Sequence, residues 1–575
     1  KADKWDPDSL IKLYKSVGAR YFFTLGQHHD NFDLWNSPYQ EWNSVRVGPK
    51  KDIVKGWSDA CKKYNLPFGV SMHGSHTWTW MEMSQNYDGN LTKEDGYKLN
   101  ADGTEKWWKG LDPQELYAQN HETSIGYEVS GTINSQWEWG NGASLPSNAY
   151  KQKFQNRVLE CINDYNPDML YFDDTVLPFY GCDESIGLNI VSDFYNHSAN
   201  KNGGTANVVV MGKKLNDSQK KSLLWDVERG IPDRTQTEYW QTCTCIGSWH
   251  YDKNIYNNNG YKTSQQVVDM LVDIVSKNGN LLLSIPIKGN GTIDDKELKV
   301  LDGIKAWMDS NSFSIYGTRP WKTFGEGPLA NAANPLSEQG FNEKNNYSSD
   351  DVRFAQRNDT LFATIMRWPS GTKYTIESLG YTSNYYSGKV KDVKLLGYGD
   401  VNFSMDVDGL VVSLPSKKCN DIAPVFQITF DKNAVDTLSL QNMIDIYNEK
   451  IINLKTLVSY NTGKLSSAKL NEFVQKIETA QQYVNANILI QQTQIQILNE
   501  AYKELKSNGY NQGGQPNMDG CRDLTTDKLI EATHFSRTPI TNDEKHFGSP
   551  QNWTVENFKI PNGNDGIKNG IDKYT

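Results

Sequence analysis

The chain has no run of about 18 apolar residues, the length that a membrane-spanning helix needs, so nothing in it reads as a span. Cysteine is scarce, seven residues in 575, at positions 61, 161, 182, 243, 245, 419 and 521. That scatter fits no zinc-binding spacing, and Cys243 and Cys245 have no second pair near them in sequence. Most of the seven read as buried free thiols, with room for one disulfide. There is no excess of basic residues: the net charge is −10, which argues against nucleic acid as a partner. The His-Glu-x-x-His helix of zinc hydrolases is missing as well. What the chain has in quantity is aromatic surface, with 17 Trp, 30 Tyr and 20 Phe. Flat rings fill cores, and they also lie against the apolar faces of sugars.

Over the first 300 residues or so, helical and strand patterns alternate. Pro7 to Lys15 is amphipathic and is stopped by Gly18. Tyr21 to Leu25 follows as an apolar run of parallel-strand type. Lys50 to Tyr64 and Pro67 to His73 repeat the pair, as do Tyr150 to Asn163 and Met169 to Phe172. Val208 to Met211, Leu223 to Trp225 and Leu281 to Ile285 are further candidate strands. Such alternation with polar strand ends predicts an α/β fold, a (β/α)8-like barrel over residues 1–318. Seven strands at most can be counted, so the first strand of a full barrel is expected ahead of Lys1. After Tyr316-Gly-Thr-Arg-Pro320 the period changes. Val401, Phe403, Met405 and Val407 alternate, Asp408-Gly409 turns, and Leu410 to Leu414 returns, which predicts an antiparallel β-sandwich over residues 319–432. Apolar stripes that begin Leu440, Ile444, Tyr447, then Leu470, Phe473, Ile477, then Ile495, Leu498, Tyr502 predict a three-helix bundle over residues 433–508. Residues 509–515 read as a linker, and 516–575 as the start of a partial β-domain.

Chemistry concentrates at the expected strand ends. The run Met169-Leu-Tyr-Phe172 stops in two carboxylates, Asp173 and Asp174, where a buried strand has no structural need of an acid; capping the next helix is the ordinary use of such a residue. His28 and His29 follow the first visible strand, His73 ends the next, and His76 lies just beyond. Asp226, Glu228 and Arg229 follow another, then Gln241, then Trp249-His-Tyr251. Two or three histidines with a carboxylate form a catalytic zinc inventory. A pair of carboxylates is the inventory of glycoside hydrolysis, one as nucleophile and one as acid/base. Adjacent histidines on a regular strand point opposite ways, so His28 and His29 can share a site only if the strand ends before them.

At these residues the chain resembles the retaining α-L-fucosidase family of glycoside hydrolases. The likeness is carried by His28-His-Asp-Asn-Phe32 with Trp35, Leu170-Tyr-Phe-Asp173, Ser248-Trp-His-Tyr251 and Ser276-Lys-Asn-Gly-Asn-Leu-Leu-Leu283, over roughly Lys4 to Pro328. The resemblance implies an exo-acting enzyme that releases terminal L-fucose from oligosaccharides or glycoproteins. It implies Asp173 as nucleophile and Glu228 as acid/base, with Glu238 the runner-up. It implies His28, His29 and His73 on sugar hydroxyls, Trp35 and Trp249 near the ring, and neither cofactor nor metal. Tyr171 stands where the family has Trp, and Asp174 where it has Gly. Residues 433–508 resemble the FIVAR-type bundles of extracellular bacterial sugar enzymes, and the last segment a carbohydrate-binding domain. Both favour a secreted or cell-surface bacterial protein. The rival readings are a catalytically inactive glycan-binding protein on the same scaffold, and a metal-dependent hydrolase using the histidines.

Overall fold

The computed structural model describes residues 1–82, 108–119, 121–125, 139, 142–334, 336, 341–343, 346–385, 388–431, 439–459 and 465–508. The expected linker and the β-domain after it lie outside these residues. Lys1–Arg357 belong to one compact unit, and the described residues from Asn358 onward to a second.

In the first unit seven strands pair in parallel and in chain order. They are β1 (Phe22–Gln27), β2 (Phe68–Met72), β3 (Met169–Phe172), β4 (Val209–Gly212), β5 (Leu224–Glu228), β6 (Trp240–Cys245) and β7 (Gly279–Ser284). Parallel neighbours need crossover connections. Helices α1 (Pro7–Val17), α2 (Ile53–Lys63), α3 (Asn148–Tyr165), α4 (Glu184–Lys201), α5 (Ser264–Ser276) and α6 (Asp295–Asn311) accompany them. Asp6, Asp52, Ser147, Thr263 and Asp294 each accept a backbone N–H in the first turn of their helix, the usual end chemistry. Gly18 ends α1 at a φ of 117°, a left-handed conformation that glycine takes without cost from a side chain.

The sheet is curled. Tyr21, just before β1, donates its hydroxyl to Gln241 of β6 at 2.9 Å, although β6 is five places away in strand order. Inside the curl, Asp226 of β5 accepts from Gln241 at 2.7 Å, from the Cys243 thiol at 3.1 Å and from the Tyr171 hydroxyl at 3.2 Å. This polar layer explains why no apolar run announced β6. Its Gln, Thr and Cys side chains are buried but hydrogen-bonded, which removes most of the cost of burying them. β1 and β7 do not pair with one another. A cavity of about 790 Å³ lies along this seam, lined by Phe22 and Phe23 on one edge and Leu281 and Leu283 on the other, and it continues to the carboxyl ends of the strands.

Helix α6 lines the same seam through Leu301, Ile304 and Met308 and carries a wholly buried acid, Glu297. Burial, helped by the neighbouring Asp294 carboxylate, pushes its pKa from 4.5 up to about 7. Between those two values the folded chain keeps a proton that the unfolded chain has lost. The stabilisation is therefore complete below pH 4.5 and fades as pH rises to about 7. Glu297→Gln is expected to lose this slope and, above pH 7, to be more stable than the parent chain by up to about 3 kcal/mol. Thermal melts of the two proteins at pH 8 check this, and coincident melts would contradict it.

The first unit ends in an antiparallel pair, β8 (Gly325–Glu326) with β9 (Val352–Arg357). The second holds β10 (Thr360–Ile365), β11 (Lys373–Ile376), β12 (Lys389–Leu395), β13 (Gly399–Asp400), β14 (Phe403–Met405), β15 (Leu410–Ser413) and β16 (Val425–Asp431). There β16 pairs antiparallel with β10 and β12, β12 with β13, and β15 with β11 and β14. Residues 406–409 join β14 to β15, and Asp406 N–H donates to the Gly409 carbonyl at 2.9 Å, so the reversal falls on Val407 and Asp408, one position before the expected Asp408-Gly409. Helices α7 (Leu440–Ser459), α8 (Ser467–Gln481) and α9 (Ile488–Asn508) carry the three stripes. The stripes do not close on themselves alone: Val407 of the hairpin is part of their core. Beside it, Asp408 takes Lys450 at 2.6 Å and Lys506 at 3.0 Å. Among the described residues no helix is long and apolar enough to cross a membrane.

Candidate active site

Parallel strands bring their carboxyl ends to one side, and there the predicted residues meet. Lys213, the residue after β4, places its Nζ 2.5 Å from Asp173 Oδ1 and 2.8 Å from Glu228 Oε2. The other oxygen of Asp173 faces imidazoles, with His73 Nδ1 at 3.1 Å and His29 Nε2 at 3.4 Å. His29 Nδ1 lies 3.0 Å from the His73 carbonyl, and Ser71 Oγ lies 2.5 Å from His73 Nε2. The His28 ring stacks on that of His73 with centroids 4.6 Å apart. β1 ends at Gln27, so His28 and His29 escape strand alternation and both reach the site.

Charge is fixed by these contacts. Burial alone would raise the Asp173 carboxyl, but the Lys213 ammonium and the two imidazoles outweigh it and hold the group well below the usual carboxylate range. Burial likewise opposes the Lys213 ammonium, and Asp173 with its neighbouring acids overrides it, so the lysine stays charged. Burial, reinforced by the surrounding histidines, lowers His28 to about 3. Burial also lowers His73, against the pull of Asp173. The arrangement is an ionised carboxylate beside the neutral rings of His28 and His73.

The two aspartates at the end of β3 part company. Asp174 is buried and accepts from Ser75 Oγ at 2.6 Å, His76 Nε2 at 3.0 Å and its neighbour Thr175 N at 2.7 Å. It ties the segment after β2 to the segment after β3, and His76 is spent in that tie. The segment after β3 also settles on the end of β4: a Cβ on Gly212 would stand 2.5 Å from Val176 O, and Lys213 N donates to Thr175 O at 2.9 Å. Glycine is required for that approach, which delivers Lys213 to Asp173.

The segment carrying His28 and His29 is held from below. Arg157 of α3 is wholly buried. Its Nε donates to Asp33 Oδ2 at 3.0 Å, its Nη1 to Asn31 Oδ1 at 2.6 Å, and its Nη2 to Asp33 Oδ1 and the Asn31 carbonyl. Arg157→Ala leaves the Asp33 carboxylate buried without its partner and is expected to cost about 3–5 kcal/mol. A chemical denaturation curve within 1 kcal/mol of the parent's would contradict that role.

Of the remaining expected residues, Trp249 is 38% exposed and lines the cavity with His28, His73, Asp173, Lys213 and Glu228. Trp35 does not join them. It is wholly buried and donates its indole N–H to Glu160 of α3 at 3.2 Å, because the chain turns down onto that helix after Phe32. Glu238 lies five residues before Cys243, the register partner of Glu228. It precedes the first residue of β6, Trp240, and so lies at the amino end of the strands, away from the carboxyl ends where Asp173 and Glu228 meet. Arg229, at a φ of 48°, turns from Glu228 and pairs with Glu343 at 2.9 Å. Two residues were not foreseen. Lys213 follows a strand inside Gly-Lys-Lys-Leu-Asn and reads there as solvated loop. His250, part of Ser248-Trp-His-Tyr251, puts its ring 5.2 Å from that of His28 and joins the site beside Trp249.

Paired carboxylates at the strand ends of a curled parallel sheet, with rings and imidazoles around the mouth, define a glycoside hydrolase. The alpha-L-fucosidase profile matches residues 1–312, and the profile of the alpha-L-fucosidase C-terminal domain matches residues 344–429. The chain belongs to the α-L-fucosidase family. Tissue alpha-L-fucosidase of Homo sapiens is 24% identical over 418 residues, 71% of each chain. That of Mus musculus is 23% identical over 418 residues, 71% of this chain and 73% of the mouse protein. Among solved structures, an alpha-L-fucosidase matches with a TM-score of 0.51 at 24% identity, over 75% of this chain and 78% of its own. The Thermotoga maritima alpha-fucosidase in complex with a mechanism-based inhibitor also gives 0.51 at 24% identity, over 74% and 80%. These two likenesses concern the fold.

Proposed function

We propose that the chain is an exo-acting, retaining α-L-fucosidase that works through a covalent fucosyl-enzyme on Asp173, the family's release of fucose carried out in two displacements. One observation carries the reading: Asp173 and Glu228 share the Lys213 ammonium. Their nearest oxygens can be no further apart than those two contacts laid end to end, which suits the spacing of about 5–5.5 Å between carboxyl groups in retaining enzymes. Asp173, held ionised, attacks the anomeric carbon while Glu228 gives its proton to the glycosidic oxygen and the aglycone leaves. Glu228 then takes a proton from water, the water attacks the same carbon, and Asp173 is released. Lys213 offsets the charge of whichever carboxylate is ionised at each stage. The neutral ring of His28 exchanges hydrogen bonds with sugar hydroxyls, His73 lies between Ser71 and Asp173 and orients the carboxylate, and Trp249 borders the opening.

A binding protein without turnover has no use for an ionised carboxylate within covalent reach, and the family does not favour a metal-dependent hydrolase. The test is hydrolysis of an aryl α-L-fucoside followed by NMR of the first sugar formed. α-L-Fucose is expected; the β anomer would mean inversion and overturn the double displacement. As finer readings we propose a (β/α)8-like barrel over residues 1–318, a sandwich over 319–432, and a FIVAR-type bundle over 433–508. We propose also a bacterial enzyme, secreted or held at the cell surface, with fucosylated oligosaccharides or glycoproteins as substrates. The sequence resemblance of the helical segment supports the last of these.

A further inference from the structure

We propose that Glu343, far from both catalytic carboxylates in sequence, is a positioning residue for the acid/base: it locks the backbone beside Glu228 and so fixes where the Glu228 carboxyl stands. The inference rests on the function proposed above. The Glu343 side chain is only 7% exposed and collects donors from three places. Arg229, next to Glu228, gives Nη2 at 2.9 Å and Nε at 3.2 Å to Oε1. Lys262 brings its Nζ to the same oxygen at 3.0 Å. Thr244 of β6 donates its hydroxyl to Oε2 at 2.6 Å. Burial alone would raise the carboxyl, but these partners outweigh it and hold it below its ordinary value. The two residues before Glu343 grip the same stretch. Phe341 N–H donates to the Glu228 carbonyl at 3.0 Å. Asn342 accepts the Ile231 N–H at 2.8 Å and donates to the Ile231 carbonyl at 3.1 Å. Residues 341–343 therefore hold Glu228, Ile231 and Arg229, one each.

The stretch needs holding. Glu228 is the last residue of β5, and Arg229 takes a φ of 48°. That left-handed conformation is costly for a residue with a side chain and persists where its surroundings impose it. On one side the Arg229 N–H reaches the Cys243 carbonyl at 2.8 Å; on the other the guanidinium reaches Glu343. Released from Glu343, the guanidinium would be free to pair with the Glu228 carboxylate beside it. Such a pair would draw the carboxyl away from the glycosidic oxygen and disfavour its protonated form. The wall that carries Trp249 and His250 does not depend on Glu343 in the same way. Lys262, which closes that loop, keeps the Cys245 carbonyl at 2.8 Å through Nζ and the Ile246 carbonyl at 2.8 Å through its N–H.

The experiment compares the full chain with Glu343→Ala and Glu343→Gln on a series of aryl α-L-fucosides whose phenols run from good to poor leaving groups. Poor leaving groups need the acid's proton and good ones need little of it. In Glu343→Ala, kcat/KM should fall by about 10–100-fold at the poor end of the series, the cost of a catalytic group held out of line. At the good end, kcat/KM should stay close to the parent's, as should the inhibition constant of L-fucose. Adding Arg229→Ala to Glu343→Ala should cost nothing further, since the two act through one link. Glu343→Gln keeps the shape and an acceptor for Thr244; it should show the same selective loss, and it carries the test if Glu343→Ala does not fold. An equal loss across the series would reduce Glu343 to a structural anchor and overturn the inference. So would parent-like hydrolysis at the poor end by the folded variants, or a further loss on removing Arg229. A parent chain that cleaves no fucoside of the series would overturn the proposed function and the inference with it, whereas a parent that cleaves them leaves that function standing whatever the variants do.

Discussion

Asp173→Ala is expected to lower kcat/KM for an aryl α-L-fucoside by at least about a thousandfold, since covalent catalysis is lost with the nucleophile. The variant should still fold, because Lys213 keeps Glu228 as a partner and Asp174 continues to hold the loops through Ser75 and His76. It should still bind fucose through the imidazoles. Azide is small enough to enter the space left by the carboxylate. It should restore part of the turnover by attacking from the side that Asp173 occupied, and the product should be the inverted β-fucosyl azide. Activity near that of the parent chain would remove Asp173 from the mechanism, and Asp174, tied into the scaffold, has no geometry with which to replace it.

Glu228→Ala is expected to leave a different signature. Natural glycans have poor leaving groups and need the proton, so their hydrolysis should fall by about 10²–10⁴-fold. Aryl fucosides with good leaving groups need little help in the first step. They should show a burst of phenol followed by slow release of the sugar, since water has lost its base. Added azide should relieve that second step and give the retained α-fucosyl azide, of opposite configuration to the product from Asp173→Ala. Glu228→Gln should resemble Glu228→Ala in natural-glycan hydrolysis while keeping an oxygen for Lys213. Near-normal cleavage of natural glycans by both variants would show the assignment to be wrong. Glu238 is not the substitute, because it lies at the opposite end of the strands.

Much of this was legible in the residues because burial and catalysis ask for different side chains. Met169 to Phe172 announced both a buried strand and, by stopping at Asp173, the site at its end. Gly18 marked the end of α1 through backbone conformation alone. What the residues did not disclose is mostly a matter of long-range pairing. β6 carries Gln, Thr and Cys because its partners are inside the curl, and no local pattern shows that. Lys213 looks like any loop lysine until the β3 and β4 ends are brought together over Gly212. Arg229 adjoins Glu228 in sequence, but its left-handed backbone turns it to Glu343, more than a hundred positions away. Trp35 resembled a sugar-stacking ring and proved to be a core residue anchored on Glu160, since the chain direction after the histidines decides which way it faces.

The account stands most directly on the covalent fucosyl-enzyme. A 2-deoxy-2-fluoro-fucosyl fluoride tests it, because fluorine at C2 slows both oxocarbenium-like steps while the fluoride leaving group keeps the first fast enough for the intermediate to accumulate. The account predicts time-dependent inactivation, one fluorofucosyl unit per chain, and a label on the peptide that carries Asp173. A label on Glu228 or any other carboxylate, or turnover with no labelled chain, would contradict it.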